Sequence, residues 1–319
     1  TAIERASQAF LNIYVFAPYI TLSRDRLAST EAAVSGSVED KISEIYRDSE
    51  RYLKTSTYLV GTPANPLTPE QGTRVSRGYM QNMSNLSAHV TWISGRMASD
   101  EVGQTPGGPH IEAIIGEITA NVFGIGTGDT VTFAPSLNDP TWVTLEIVGV
   151  LAPTDPTEDF WQQNANIFLR PQPLEELPDV GIEIDPDEPP LALFVSYEAM
   201  VEGVGKAYPG GFVSSTWYIS VDRQGLMLWS KEETRERLAG LEADVTSAMR
   251  GAAVLTGIDK LLNDFERRSF FSSVPLLLLL VVMVMTVLYY VSMMVSYLVQ
   301  SREDDVALLR SRGVTTWQL

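Results

Sequence analysis

The pattern of apolar and polar positions changes period several times along this chain before it ends in one long apolar run. After Ser37-x-x-Asp40, which has the spacing of a capping box, Val38, Ile42, Ile45 and Tyr46 recur on one helical face, predicting a helix of about four turns from Ser37. Residues 53–60 alternate and are rich in Thr and Tyr, as a strand would be, up to the Gly61-Thr-Pro-Ala-Asn-Pro66 breaker. Segments 89–93 and 111–115 read as a strand pair with a helix between, the second leading into a helix at Glu117–Phe123.

Strands are predicted at 130–133, at 141–151, at Leu191–Val195 and at Phe212–Val221, with a helix at 197–207. Ser230-x-x-Glu233 caps a helix running to Arg250, whose stripe of Leu238, Leu241, Val245 and Met249 is expected to pack on a sheet. After a short strand at 253–255, Thr256-x-x-Asp259 caps a helix bearing Ile258, Leu261, Leu262 and Phe265. Nothing between Asp259 and Phe271 would stop it, so one continuous helix is expected to run from the domain into the apolar run.

That run fixes the solvent. The 33 residues from Ser269 to Ser301 contain no Asp, Glu, Lys, Arg or His, and the Leu, Val and Met of 275–298 suffice to cross a bilayer as a helix. Pro275 falls in the first turn, where it costs little. Thr286, Ser292 and Ser296 are small polar groups suited to packing against other helices, and Tyr289 and Tyr290 lie too deep for an interfacial belt. The division is therefore an α+β domain at 1–268, a transmembrane helix at 269–301 and a tail at 302–319.

Charge and composition narrow the function. The tail carries Arg302, Arg310 and Arg312 against Glu303, Asp304 and Asp305, so the whole net charge of −17 belongs to the residues before it. Such an anionic domain repels nucleic acid, which is excluded as a partner. With no cysteine and only His89 and His110, the chain has no means of forming disulfides, a thiolate nucleophile or a zinc finger, and no cofactor or metal is expected on it. The first residue is Thr and no signal segment opens the chain, which leads us to expect that an earlier transmembrane helix precedes it. The bases flanking the span, Arg250, Lys260, Arg267 and Arg268 before it and three arginines after it, do not set its orientation.

Phosphate-binding motifs fail on order. The glycines of Gly124-Ile-Gly-Thr-Gly128-Asp129 lie after a helix and before a strand, whereas a phosphate loop follows a strand and opens a helix. Gly203-Val-Gly-Lys206-Ala207 lacks the first glycine of a Walker motif, Met200 standing there, and the final hydroxyl. Residues 171–190 hold six prolines and seven acids, a composition for a semi-rigid surface insertion without the spacing of a calcium loop.

The tail carries a resemblance. Val295-Ser-Tyr-Leu-Val-Gln-Ser-Arg302-Glu-Asp-Asp305-Val-Ala-Leu-Leu-Arg310-Ser-Arg-Gly313 is similar to the segment leaving the second transmembrane helix of FtsX-like and MacB-like ABC transporter permeases. Arg302, Asp305, the Val306-Ala-Leu-Leu-Arg310 run and Gly313 hold the family's positions, and Glu303 and Asp304 stand where basic residues are more usual. Ile93-Ser-Gly-Arg96, Ile114-Ile-Gly-Glu117, Ala120 to Val131 and Leu145-Glu-Ile-Val-Gly-Val150 resemble the extracytoplasmic domain in the same order; the insertion at 171–190 has no counterpart there. The resemblance implies a MacB-like core outside the cytoplasm of a prokaryotic cell membrane. It also implies a second permease copy or homologue and an ABC ATPase subunit, which holds ATP and Mg and contacts Arg302, Asp305, Leu308, Leu309, Arg310 and Gly313.

Two other classes compete. A single-pass receptor or scaffold would have the same domain and span but continue into a signalling domain after Gly313. A membrane-anchored hydrolase would need an acid-base pair such as Asp155 and Glu158, yet no nucleophile elbow or metal signature accompanies them, and the chain is not expected to be an enzyme. Asn82-x-Ser84 and Asn85-x-Ser87 match the glycosylation pattern.

Overall fold

The computed structural model describes residues 11–66, 77–136, 141–170 and 190–301, with backbone alone for most of 259–277 and for residue 299. It divides into two compact units, Thr1–Asp259 and Lys260–Leu319.

Within the first unit, strand β1 (Ile13–Thr21) leads into helix α1 (Arg24–Ile42) and strand β2 (Tyr46–Thr55). Helix α1 buries Leu27, Thr30, Val34, Val38 and Ile42, one face at steps of three and four. It starts thirteen residues before the predicted capping box, so Ser37 lies inside it and donates its hydroxyl to the Ala33 carbonyl at 2.9 Å. The predicted helix through Tyr46 is corrected accordingly: α1 ends at Ile42 and Tyr46 opens β2.

The chain then builds β3 (Tyr58–Gly61), β4 (Arg77–Met83), β5 (Val90–Gly95), β6 (Val102–Thr105), β7 (Gly108–Gly116), α2 (Glu117–Phe123), β8 (Thr130–Ala134), β9 (Val143–Pro153) and β10 (Leu191–Val195). The segment predicted as one strand at 53–60 is β2 and β3, split at Ser56 and Thr57. No helix lies between β5 and β7; β6 fills that interval and pairs with β7 as a hairpin, and β5 and β7 both pair with β9.

Six of these strands close into a ring, β3-β4-β10-β7-β9-β8 and back to β3, with β10–β4 and β7–β9 parallel and the other pairs antiparallel. Closure leaves no unpaired edge in the ring. Phe133, fully buried, fills part of it and stacks on Tyr58, whose other neighbour is Tyr208. The Tyr208 hydroxyl donates to the Phe133 carbonyl at 2.7 Å. Gly78 is required here, since a Cβ there would lie 2.4 Å from the Phe133 ring.

The chain returns through β11 (Phe212–Val221), α3 (Lys231–Ala248) and β12 (Ala253–Thr256). The order β2-β11-β1-β12, all antiparallel, with α1 after β1 and α3 after β11, is a β-α-β-β-α-β unit of the ferredoxin-like type. The six-stranded ring is an insertion between its second and third strands. The Ser230 hydroxyl accepts from the Glu233 amide at 3.1 Å, the N-cap expected from the sequence. Helix α3 packs chiefly on α1, where the sequence suggested a sheet, with Gly240 against Lys41.

On the opposite face of this sheet, Tyr14, Tyr52 and Tyr218 meet a segment with no sequence-predicted structure, the turn Asp159–Trp161 and the short helix Asn166–Leu169. Phe168 makes edge contacts with Tyr52 and Tyr218 at ring-centre distances of 5.1 and 6.0 Å, and Trp161 is fully buried beside it. Gln81 of the ring donates to the Phe168 carbonyl and accepts from the Tyr52 hydroxyl. This aromatic layer is the mortar between the sheet and the ring.

Helix α4 (Ile258–Ser301) supplies the second unit. Its segment Leu278–Leu298 has a mean hydropathy of 2.4 and none of its length buried within the chain. Twenty-one residues at 1.5 Å each span about 31 Å, matching a hydrocarbon core of about 30 Å. Thr286 satisfies its hydroxyl on the Val282 carbonyl of its own helix at 2.8 Å, and the Tyr289 and Tyr290 rings contact each other edge to face.

Candidate functional site

The residues given a functional role by the sequence, Arg302, Asp305, Leu308, Leu309, Arg310 and Gly313, lie outside the described residues, as does the insertion at 171–189. Among the described residues, polar and charged side chains converge on β2 and the elements flanking it.

On one face of β2, the side chains of Val34 and Val38 from α1 and of Trp217 and Ile219 from β11 line a groove of about 300 Å³. Tyr46, Ser49, Glu31, Ser35, Glu39 and Ser43 complete its walls. Glu31 is held by Arg51, whose guanidinium also lies 4.5 Å over the Tyr197 ring.

On the other face, a cavity of about 350 Å³ is lined by Asp48 and Glu50 from β2, Tyr218 and Ser220 from β11, and His89, Glu158, Asp159, Phe160 and Gln162. Arg47 is the only permanent cation among its lining residues. His89 stacks on Phe160 with centroids 3.8 Å apart and sets Nδ1 at 3.0 Å from both oxygens of Glu158. The carboxylate thereby selects an Nδ1-protonated ring. The Tyr14 hydroxyl donates to Gln162 at 2.8 Å, and burial raises the tyrosine's pKa. Burial does the same to Tyr218, so both phenols stay protonated donors. Four carboxylates against Arg47 leave the lining acidic, although Glu158 is held by His89, Glu50 accepts from Ser84 and Asn85, and His89 covers one face of Phe160.

The hydrolase pair does not assemble. Asp155 accepts from the Thr157 hydroxyl and amide, which lower its pKa, and so closes its own turn, whereas Glu158 engages His89. The glycine loop is helix, loop, strand, as its order predicted. Gly124 takes a left-handed C-cap at φ 68°, the Gly126 amide donates to Asp129, and Gly128 donates to Ile147. Those donors are therefore spent within the fold. Asn82 is buried and donates to the Val195 carbonyl at 2.9 Å, which removes it as a glycan acceptor. Among the described residues no group of three or more metal-ligating side chains is assembled.

The sequence did not reveal the partnership of His89 with Glu158, 69 residues apart, nor the second face of β2. The available signal was an aromatic pair, Phe160-Trp161, in the loop that follows the strand predicted at 141–151.

The fold also sets where the chain enters and leaves the first unit. Strands β1 and β12 pair so that Ile13 lies opposite Thr256 and Phe16 opposite Ala253, which brings the start of the first strand beside the end of the last. Neither a protein-family profile nor a curated protein matches the chain. Among solved structures it is similar to the periplasmic region of MacB from Actinobacillus actinomycetemcomitans, at 10% identity and a TM-score of 0.40, covering 83% of this chain and 98% of that one.

Proposed function

We propose that this chain is a permease subunit of an ABC transporter of the mechanotransmission type, in a prokaryotic cell membrane with residues 1–268 outside the cytoplasm. A separate ATPase would dock on the tail after the span through Arg302, Asp305, Leu308, Leu309, Arg310 and Gly313. Hydrolysis there would shift α4, and the shift would reach the outer domain for export, extraction of a lipid-linked molecule or control of an envelope enzyme. A second permease copy or homologue would complete the pathway, because one span encloses none.

The observation that carries this reading is the pairing of Ile13 with Thr256, two residues ahead of α4. Displacing the start of α4 acts on β12, and through its backbone hydrogen bonds on β1, the strand next to it in the sheet. A single-pass receptor needs no such arrangement of first and last strands. The tail motif supports the same reading independently, through the resemblance of its residues.

The test is purification of the full chain from native membranes in mild detergent, with mass spectrometry of what accompanies it. An ABC ATPase subunit is expected with the wild type and is expected to be lost with Leu309→Asp and Arg310→Glu together. Absence of any ATPase, under conditions that retain one on a known permease, would refute the proposal.

A further inference from the structure

We propose that the edge of β2 around Ser49, uncovered among the described residues, docks an extended segment of a partner protein, which adds as an antiparallel strand carrying apolar and basic side chains in alternation. The site stands apart from the transport proposal, since it rests on the first unit alone.

Strand β11 holds one edge of β2 in regular register from Asp48 to Thr55, with Ser49 opposite Ile219 and Asp48 opposite Ser220, and resumes at Tyr46 opposite Val221 after a bulge at Arg47. Strand β4 covers the other edge only from Tyr52 to Lys54. Beyond it the Ser84 amide donates to the Arg51 carbonyl at 3.0 Å and its hydroxyl accepts from the Arg51 amide at 2.7 Å, and the Asn85 side chain donates to the Glu50 carboxylate at 2.9 Å. Since strand backbones alternate, Ser49, two residues from Arg51 in unbroken register with β11, also aims its amide and carbonyl away from β11. Among the described residues no strand meets them. The Ser49 amide is covered only by the neighbouring Asp48 carboxylate, at 2.8 Å.

The two cavities open on opposite faces of this same stretch. A residue added opposite Ser49 shares its face and sends its side chain toward Val34, Val38, Trp217 and Ile219. Its neighbours along the added strand point to the other face, toward Asp48, Glu50, Glu158 and Asp159. Backbone pairing with alternating side-chain pockets is the physics of β-strand addition. The charge selects the occupant. A second copy would bring the same carboxylates together in a chain of net charge −17, whereas a segment with lysine or arginine at alternate positions neutralises them and frees the Ser49 amide from Asp48. The same acids guard the edge against pairing with itself.

The test uses the full chain in nanodiscs of uncharged phosphatidylcholine and a fluorescent, end-capped peptide of alternating valine and lysine, about nine residues long to match a docked strand. A block peptide of the same composition, with all valines before all lysines, is the control. Anisotropy is expected to show the alternating peptide binding at least about 10-fold more tightly than the block peptide. Ser49→Pro, which removes the outward amide, is expected to abolish that preference. Ser35→Trp, an exposed helix position that fills the groove without disturbing the sheet, and Asp159→Lys are expected to weaken binding similarly. Equal binding of the two peptides, binding unaffected by all three substitutions, or no binding up to about 1 mM would each overturn the proposal.

Discussion

Phe168→Ala is the sharpest probe of the fold, because one ring serves both halves of the first unit. Phe168 is 1% exposed and lies at ring-centre distances of 5.1 Å from Tyr52, 6.0 Å from Tyr218 and 6.0 Å from Trp161. Truncating a buried Phe costs about 3–5 kcal/mol, from lost transfer energy and the cavity left behind. The edge-to-face contacts contribute about 0.5–1.5 kcal/mol each beyond area, which places this site toward the top of that range. The hydrogen bond from Gln81 reaches the main-chain carbonyl and survives the change, so the loss belongs to packing. In a unit of this size 1 kcal/mol moves Tm by about 2–4 °C, and a fall of about 8–20 °C is expected. Phe168→Leu keeps most of the volume and should cost about 1.5 kcal/mol. The assay is thermal unfolding of the full chain in detergent, followed by tryptophan emission, to which the adjacent Trp161 contributes. A fall below about 2 °C for the alanine variant, or equal falls for alanine and leucine, would refute the aromatic layer as the mortar.

Three further outcomes follow from single sites. Arg96 and the Ser99 amide hold Glu112 at a pKa of about 2, below its ordinary 4.5. The gap converts to about 3 kcal/mol at most, and with Arg96 60% exposed, screening reduces it to about 1 kcal/mol. The folded state prefers the ionised acid, so this stability is full above pH 4.5 and disappears as pH falls toward 2; Glu112→Gln should be less stable at neutral pH and equal near pH 2 in denaturant titrations, and a constant difference would refute it. Burial lowers the pKa of Lys54, whose ammonium sits 4.2 Å over the Tyr79 ring, so the fold disfavours that charge and Lys54→Met should raise Tm. Wild-type stability should also rise with pH from the lowered pKa toward the ordinary lysine value, and an unchanged profile for Lys54→Met would sink the argument. In α4, arginine at the centre of the span costs about 3 kcal/mol per position, so in residues 1–319 expressed by themselves Met285→Arg with Leu288→Arg should move the polypeptide out of the carbonate-resistant membrane fraction; full retention would refute the span.

Local signals carried much of the architecture. Glu117–Phe123 was legible from Gly116 and Gly124 at its ends, Leu191–Val195 from its apolar run after Pro190, and Phe212–Val221 from its alternation and β-branched content after Gly211. Helix α1 was misread because Ser37 and Asp40 mimic a capping box, while the true start at Arg24 follows Ser23, whose side chain makes no capping bond. Its mostly polar surface gave the pattern little amplitude. Strand β4, with Arg77, Gln81 and Asn82, does not look like a strand, yet Gln81 and Asn82 are buried because each finds hydrogen-bond partners at sequence separations of 29 to 113 residues. The cavities on β2 were illegible for the same reason: their walls come from residues 31 to 220, joined only by strand pairing.

The insertion explains why the edge of β2 is half covered. In a bare β-α-β-β-α-β unit of order β2-β11-β1-β12, both outer strands expose an edge. Here the chain leaves β2 at Thr55 to build the ring, and β4 comes back to pair with the last residues of β2 before ending at Met83. Strand β4 spends residues 77–81 on β3 and β10 and reaches β2 only with residues 81–83, and the chain turns away at Asn85, which takes a left-handed conformation at φ 55°. The uncovered half is thus a geometric product of grafting a closed ring onto an open sheet. A bulge at Arg47 ends the regular stretch, and the edge carries Arg47, Asp48 and Glu50, charges that repel a like edge and still admit a complementary one.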